Sequence, residues 1–398
     1  MIYRSMFRKK TPIIVGVCVL VVGLLCTAGI LWRTHSGTST DSAARRIVSA
    51  CNTIGTDHSA CYEAEVPTLY PGMPVARIFD VVREIRTLDS SYQFCHVLGH
   101  KIGERVVAED PNSWVGAIPL NPSDGLCSNG FIHGVVGGRF RSEVLNDTTI
   151  EKFVPDFIRA CQAHDAWTPS DLDRAICYHG MGHLFDFITD ANIPKALDLC
   201  SRVAPEAYSR VCIQGVFMQI YQPLEPDDYQ LIARMKVKPM KATVRTFCAT
   251  FKDPIYVGSC LEESWPFFQK EITDGSGVAS FCSGQPNTRE TDQCYVSMSA
   301  IIGRMSLDDS SKAAAACDRF PTTHRETCYS YTAQAVLEED LSDSRKAIDL
   351  CERAGDPAAG QCISDLVGHA HFTFGNNTKK YDAFCAALPS TSRCIDER

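Results

Sequence analysis

Histidines are the residues of this sequence whose spacing most clearly indicates chemistry. Two pairs, His96/His100 and His179/His183, have members four residues apart. In a helix this spacing puts both imidazoles on one face, one turn apart, where they can bind the same metal ion. His133 follows Cys127 at the same distance as His183 follows its own preceding cysteine. We therefore predict that these five histidines are ligands of a transition-metal ion.

Two acidic residues follow the histidine pairs at about one further helical turn, Glu104 and Asp186. Either carboxylate can supply an oxygen ligand or a base. If the site is catalytic, we expect the metal to activate water or oxygen, with Glu104 or His133 as the proton shuttle. Nitrogen ligands with a nearby carboxylate suit copper, zinc or iron, and the sequence does not choose among them. The leading hypothesis is a metal-binding protein, with a metal-dependent oxidoreductase as its enzymatic form.

Two other interpretations of the histidines stay open. They can line a pocket for an organic ligand or haem, or they can form a polar core without a ligand. The His-Glu-x-x-His pattern of zinc hydrolases and the Cys-x-x-Cys-His pattern of covalent haem are both absent from the sequence. Glycines recur near the histidines, at Gly130, Gly180 and Gly215, and predict a close approach of neighbouring helices.

Eighteen cysteines follow one another in closely spaced pairs, once Cys18 and Cys26 of the apolar N-terminal run are left out. From Cys248 on, the first member of each pair recurs every 34 or 35 residues. A fixed period predicts a repeat protein with sequential disulfides, which also need an oxidising environment. The predicted disulfides join Cys51 with Cys61, Cys95 with Cys127, Cys161 with Cys177, Cys200 with Cys212, Cys248 with Cys260, Cys282 with Cys294, Cys317 with Cys328, Cys351 with Cys362 and Cys385 with Cys394.

The residues around the cysteine pairs predict an all-α fold. A helical pattern ends near Cys351, residues 352–357 contain Gly and Pro, and a second helical pattern starts at Ala358. Each disulfide would therefore close an αα-hairpin, and the hairpins would stack into a solenoid. We predict a histidine-bearing helical domain over 47–220 and disulfide-stapled αα-hairpin repeats over 221–398.

The repeat also resembles a known architecture. A 34-residue αα-hairpin with alanine near the end of its first helix is similar to tetratricopeptide and Sel1-like repeats, over roughly 150–398. The resemblance is one of architecture and implies no activity. A solenoid of this kind offers a concave face, so the alternative function is a non-enzymatic scaffold that binds a protein or cell-envelope partner.

The N-terminus predicts a membrane anchor. Residues 11–32 are apolar and uncharged, which is long enough for a transmembrane helix, and the basic segment 1–10 precedes them. Residues 33–46 form a small polar tether. We expect a single-pass membrane protein with a cytoplasmic N-terminus and the bulk of the chain outside. A cleaved signal peptide is the competing interpretation, and a lipoprotein at Cys26 a weaker one.

The formal net charge of the chain is −8. Phosphate backbones are bound by basic surfaces, so this charge argues against nucleic acid as a partner. The membrane and a protein or cell-envelope component are the partners that the sequence predicts.

Overall fold

The structure is a computed structural model, and every regular element in its described residues is helical. The described residues are 39–53, 58–92, 94–140, 143–165, 167–307, 309–339, 341, 344–375, 377–389 and 394. No β-strand occurs in these ranges; a single isolated bridge joins His164 and Trp167. The predicted all-α class is confirmed.

Twenty-one α-helices follow one another along the described chain. They are α1 Thr40–Cys51, α2 His58–Glu65, α3 Val75–Leu88, α4 His96–Glu109, α5 Trp114–Ala117, α6 Gly130–Phe140, α7 Asp147–Ala160, α8 Asp171–Ile188, α9 Ile193–Val203, α10 Glu206–Tyr221, α11 Pro226–Arg234, α12 Val244–Cys248, α13 Pro254–Glu263, α14 Gln269–Thr273, α15 Val278–Cys282, α16 Thr288–Met305, α17 Ser310–Cys317, α18 Arg325–Glu339, α19 Arg345–Arg353, α20 Ala358–Phe374 and α21 Thr378–Ala387. Short 3-10 helices lie at Val66–Leu69, Pro111–Ser113, Ile118–Leu120, Leu126–Asn129 and Trp265–Phe268.

Polar caps fix where the long helices begin. At the start of α8, Ser170 Oγ accepts from the backbone N–H of Asp173 at 3.1 Å, and the Asp173 carboxylate accepts from the Ser170 N–H at 2.9 Å. This reciprocal pair satisfies two backbone donors that the helix itself leaves unpaired. Asn287 caps α16 in the simpler way, accepting from the N–H of Glu290 at 3.0 Å.

Disulfides join the cysteines in the nine predicted sequential pairs, with Cα–Cα distances from 4.7 to 5.7 Å. In most of them the first cysteine lies at or near the end of one helix and the second lies within the next, as the hairpin prediction requires. The bonded pairs are Cys51 and Cys61, Cys95 and Cys127, Cys161 and Cys177, Cys200 and Cys212, Cys248 and Cys260, Cys282 and Cys294, Cys317 and Cys328, Cys351 and Cys362, and Cys385 and Cys394.

The bridge between Cys95 and Cys127 differs from the hairpin disulfides. Its partners are 32 residues apart, and they precede α4 and α6 instead of lying at the end of one helix and within the next. This bridge therefore holds the beginnings of those two helices side by side.

Eight of the described helices form one continuous row. Each member packs against the next, in the order α4, α6, α8, α10, α13, α16, α18 and α20. The row then returns on itself, because α20 also packs against α8. Lys380 Nζ donates to the carbonyl oxygen of Ser123, which ties the C-terminal hairpin to the loop before α6. The result is a solenoid whose last repeats contact its early ones.

Two apolar clusters fill the spaces between the helices. The first runs from Ala43 to Leu261 and the second from Ile272 to Leu388. Disulfide sulfurs lie inside both clusters, since the cysteines between 51 and 362 are all buried. The predicted division of the chain at 220/221 stays a prediction.

The predicted membrane localisation needs correction. Among the described residues, no helix is both long enough and apolar enough to cross a membrane. The predicted segments 1–10 and 11–32, and 33–38 of the tether, lie outside the described residues. Residues 40–46 of the predicted tether instead belong to α1, where Ala43 and Ala44 are fully buried.

Candidate metal centre

Glycines bring α4 and α6 into backbone contact. A Cβ atom at Gly99 would lie 2.9 Å from the backbone nitrogen of Phe131, and one at Gly103 would lie 2.7 Å from that of Val135. Real Cβ atoms do not approach so closely, so larger residues at these positions would push the helices apart. The close packing places the His96 and His100 side chains beside α6.

A second pair of helices, α8 and α10, packs in the same way. A Cβ atom at Gly182 would lie 2.8 Å from the backbone nitrogen of Val216. Between the two pairs, the ring of His133 lies against Gly180, where a Cβ atom would come within 2.8 Å of His133 Cδ2. The missing side chain at Gly180 thus leaves the space that His133 occupies.

The five predicted histidines come together in one cluster with His133 at its centre. The ring centroid of His133 is 5.3 Å from that of His96 and 5.6 Å from that of His100. On the other side it is 5.7 Å from His179 and 5.4 Å from His183. One ligand atom each from His96, His100 and His133 can be chosen so that all three lie within 4.8 Å of one another.

Acceptor groups fix the orientation of the four outer imidazoles. The Nδ1 atoms of His96 and His179 lie 3.2 and 3.1 Å from the carbonyl oxygens of Cys127 and Val211. A carbonyl oxygen can only accept, so Nδ1 carries the hydrogen in both rings and Nε2 presents a lone pair. The same tautomer follows for His100, whose Nδ1 faces Glu225, and for His183, whose Nδ1 faces Gln219. The two distances are 3.2 Å to Glu225 Oε1 and 2.8 Å to Gln219 Oε1.

The lone pairs therefore face one another inside the cluster. His96 Nε2 and His100 Nε2 are 3.0 Å apart. His133 Nε2 is buried and has no hydrogen-bond partner among the described residues. When both rings are neutral, their Nε2 lone pairs repel at this distance unless a cation, either a metal ion or a shared proton, lies between them. Such an arrangement is what a set of metal ligands requires.

Burial favours the neutral form of three of these imidazoles, those of His96, His133 and His179. It lowers the pKa of His96, and it lowers the pKa of His133 and His179 well below the usual value for histidine. The neighbouring histidines lower the pKa of His133 further, while the carboxylate of Glu339 acts in the opposite direction on His96. Neutral imidazole is the form that binds metal.

A strained turn supplies the acceptor for His96. Cys127, Ser128 and Asn129 all have left-handed backbone conformations, with φ of 60°, 50° and 58°. Non-glycine residues rarely adopt this region, at a cost of order 1–3 kcal/mol each. The turn directs the Cys127 carbonyl oxygen at His96 and starts α6, so the strained backbone lies directly at the cluster.

Glu104, predicted as a proton shuttle, takes part in an ion-pair network beside the imidazoles. Its carboxylate pairs with Lys101 Nζ at 3.0 Å, and Lys101 Nζ also pairs with Glu225 at 3.2 Å. Glu225 in turn faces His100. Of the predicted catalytic pair, His133 lies at the centre of the cluster, and Glu104 is linked to His100 through Lys101 and Glu225.

Sequence reasoning missed Glu225, whose side chain is only 3% exposed. It belongs to the segment after α10 that makes this repeat longer than the others. The carboxylate of Asp228 accepts from the N–H groups of Leu224 and Glu225, both at 2.8 Å, and so holds the segment against the cluster. The run Glu225-Pro226-Asp227-Asp228 at a helix start was the available signal.

Asp186 is fully buried on α8, and neither carboxylate oxygen has a hydrogen-bond partner among the described residues. Burial raises the pKa of Asp186 to about 8, with a further contribution from Asp190. The protonated, neutral form of the side chain is therefore favoured at pH 7. It does not belong to the group of residues within metal-binding distance.

The C-terminal repeats contribute an ion network beside the cluster. Arg304 donates to Glu338 at 3.2 Å and to Glu339 at 3.1 Å, and His369 Nε2 lies 2.9 Å from Glu338. Ser128, next to the carbonyl that faces His96, donates to Glu339. Sequence reasoning assigned His369 no role, and it could not foresee this contact because the closing of the row creates it.

No family model, no curated protein and no solved structure matches this chain. The resemblance to tetratricopeptide and Sel1-like repeats therefore stays a prediction, while the helical, disulfide-rich repeat architecture is what the structure shows.

Proposed function

We propose that this protein binds a transition-metal ion through His96, His100 and His133. The observation that carries the proposal is the 3.0 Å approach of two Nε2 atoms whose Nδ1–H groups are held by Cys127 and Glu225. A neutral pair in these tautomers has no hydrogen between the nitrogens. A metal ion bound by both lone pairs removes the repulsion.

The spacing of the donors supports a metal ion. Metal–imidazole bonds of about 2.0–2.1 Å in a tetrahedral site place two nitrogens about 3.3 Å apart. The 3.0 Å separation requires only a small opening of the His96–His100 pair. Carboxylate and carbonyl acceptors on the distal nitrogens are also typical of metal-ligating histidines, because they fix the ring and raise its basicity.

Three protein donors leave a coordination position for water or a small substrate, as in catalytic rather than closed structural sites. His96 and His133 are partly exposed as whole residues, although the Nε2 atom of His133 is buried. The proposed chemistry is activation of that molecule by the ion. The His133 ring lies between the other four imidazoles. The ion pairs of Lys101 with Glu225 and with Glu104 connect the site with the surface of α4.

Metal content of the purified full chain tests this proposal. We expect about one equivalent of zinc after reconstitution with zinc, and loss of that equivalent in His133→Gln. The matched control is His324→Gln, because His324 lies outside the cluster, stacked on Tyr295. Retention of zinc by a folded His133→Gln variant, or no zinc, copper or iron in the wild type after reconstitution, would overturn the proposal. A non-enzymatic scaffold would then be the leading account.

A further inference from the structure

The two helix pairs around His133 repeat one another residue by residue. In both pairs a histidine carbonyl lies over a glycine of the next helix, Gly130 under His96 and Gly215 under His179. Corresponding positions are His96 and His179, Gly99 and Gly182, His100 and His183, Gly130 and Gly215, and His133 and Met218. The pair α8/α10 thus presents a second set of three side chains, in which a thioether replaces one imidazole.

The second set also brings lone pairs together. His179 Nε2 lies 3.2 Å from Met218 Sδ, while His179 Nδ1 faces the carbonyl oxygen of Val211 at 3.1 Å. The carbonyl requires the hydrogen on Nδ1, so Nε2 has none to donate to sulfur. A thioether has no hydrogen either. The contact therefore joins two electron-pair donors, as the His96–His100 contact does.

His183 completes the set. Its ring centroid is 4.9 Å from that of His179. Its Nδ1 faces Gln219 Oε1 at 2.8 Å, so Nδ1 carries the hydrogen and Nε2 carries the lone pair. Gln219 occupies the position after Met218 on α10, and its side chain is buried. One helix thus supplies both the thioether and the group that orients the adjacent imidazole.

We propose that His179, His183 and Met218 form a second metal subsite that binds copper(I) in preference to zinc. This inference rests on the proposed metal-binding function and extends it to a two-ion centre, with the His133 ring between the subsites. Thioether sulfur is a soft ligand that favours copper(I), whereas three imidazoles accept zinc or copper. The first subsite should therefore bind either metal, whereas the second should bind copper(I) much more tightly than zinc.

Stoichiometry with two metals tests the second subsite separately from the first. The full chain is loaded with zinc alone, or with copper(I) under a mild reductant that leaves the disulfides intact, and metal is counted after removal of the excess. We expect one zinc but two copper(I) per chain. One zinc with only one copper(I) would overturn the second subsite and leave the first intact, whereas no binding of either metal would remove both.

Substitutions at Met218 make the assignment specific. Met218→Leu should bind one copper(I). X-ray absorption at the copper edge should show scattering from a sulfur ligand in the wild type and none in Met218→Leu. Met298→Leu, at a buried methionine of α16, is the control and should keep two copper(I). Met218→His should gain a second zinc equivalent, since it converts the subsite to three imidazoles. Two copper(I) in Met218→Leu, or one zinc in a folded Met218→His, would contradict the proposal.

Discussion

Single residues decide whether the cluster is a set of ligands or an ordinary polar core. A polar core would pair each ring nitrogen with a donor or acceptor of the opposite kind. Here Nδ1 of His96, His100 and His179 faces an acceptor, while the Nε2 atoms of His96 and His100 face each other and that of His179 faces sulfur. The residue pattern therefore favours a bound cation. The acceptors on the Nδ1 atoms determine that Nε2 is the nitrogen that faces this cation.

Glu225 should tune the affinity of the first subsite. Removing its carboxylate in Glu225→Ala leaves His100 Nδ1 without the acceptor at 3.2 Å, so the ring loses its fixed orientation. Loss of such an outer partner typically costs about 10–100-fold in metal affinity. Competition with a chelator measures the effect, and Asp227→Ala, at an exposed position of the same segment, is the control. Equal affinities of the two variants would refute this role of Glu225.

Asp186 should make stability depend on pH. The carboxyl has a pKa of about 8 in the folded protein and about 4 when unfolded, so the folded state binds the proton more tightly. The stabilisation that comes from this proton is present in full below pH 4. It is lost between pH 4 and pH 8, by up to about 1.4 kcal/mol of unfolding free energy per pH unit. Relative to Asp186→Asn, the metal-free wild type should therefore be less stable at pH 7 than at pH 5.

Urea denaturation of both proteins at the two pH values measures this difference. The exposed Asp227→Asn exchange is the matched control and should change stability equally at both pH values. A difference between wild type and Asp186→Asn that stays constant from pH 5 to pH 7 would show that Asp186 is ionised in the folded protein.

Much of the residue-scale site could be predicted because four-residue histidine spacing directly encodes a shared helix face. Met218 occupies the sequence position that corresponds to His133, but its sulfur contact with His179 depends on how deeply α8 and α10 interlock. Glu225 lies 125 residues after His100, and no local pattern encodes a contact over that distance.

At the level of helices, close packing is what turns two separate pairs into one cluster. Gly103→Ala should push α4 away from α6, because its Cβ atom would lie 2.7 Å from the Val135 nitrogen. Overpacking of this kind costs about 1–3 kcal/mol, and we expect zinc binding to weaken along with stability. Gly368→Ala in α20 is the control, since among the described residues nothing apart from the neighbouring backbone of its own helix lies within 4 Å of the position that its new Cβ atom would take.

That control should have the opposite effect on stability. Alanine stabilises a helix interior relative to glycine by about 1 kcal/mol when nothing is in the way. Thermal and urea unfolding of both variants give the comparison. If Gly103→Ala were as stable as Gly368→Ala, the two helices would not be in the backbone contact described here.

The helical hairpins could be predicted from the sequence because the cysteine period repeats the same helix–break–helix pattern. The left-handed turn at Cys127, Ser128 and Asn129 could not, since none of these residues is glycine and the strain is tolerated only through tertiary contacts. The start of α6 depends on that turn, and so does the position of His133 relative to α4 and α8.

Across the whole molecule, one disulfide has a special place. Cys95–Cys127 closes the longest interval between paired cysteines. Cys95 directly precedes His96, and Cys127 supplies the carbonyl oxygen that faces His96 Nδ1. Loop-entropy reasoning gives about 4 kcal/mol for this bridge and about 3 kcal/mol for Cys282–Cys294, which closes 12 residues. Replacing either pair by alanine should therefore lower stability by similar amounts.

The two replacements should differ in metal binding. Without Cys95–Cys127 the first helical turns of α4 and α6 lose their covalent link, and zinc binding should fall, whereas the Cys282/Cys294 variant should bind zinc like the wild type. Zinc titration of both folded variants provides the measurement. Equal zinc affinities would show that packing alone holds His96 in place.

The closing of the helical row is the part of the molecule that the sequence did not reveal. A repeat of fixed period predicts stacking of neighbours but not the curvature that brings α20 to α8 and Glu339 to Ser128. Small rotations between successive hairpins add up over the whole chain, so the closure is a property of the complete solenoid.

Anomalous diffraction from crystals grown with zinc would show whether an ion binds to His96, His100 and His133. We expect an anomalous peak about 2.0–2.1 Å from the Nε2 atoms of these three residues. Anomalous peaks only elsewhere on the chain, with none at the histidine cluster, would show that these histidines do not bind the ion.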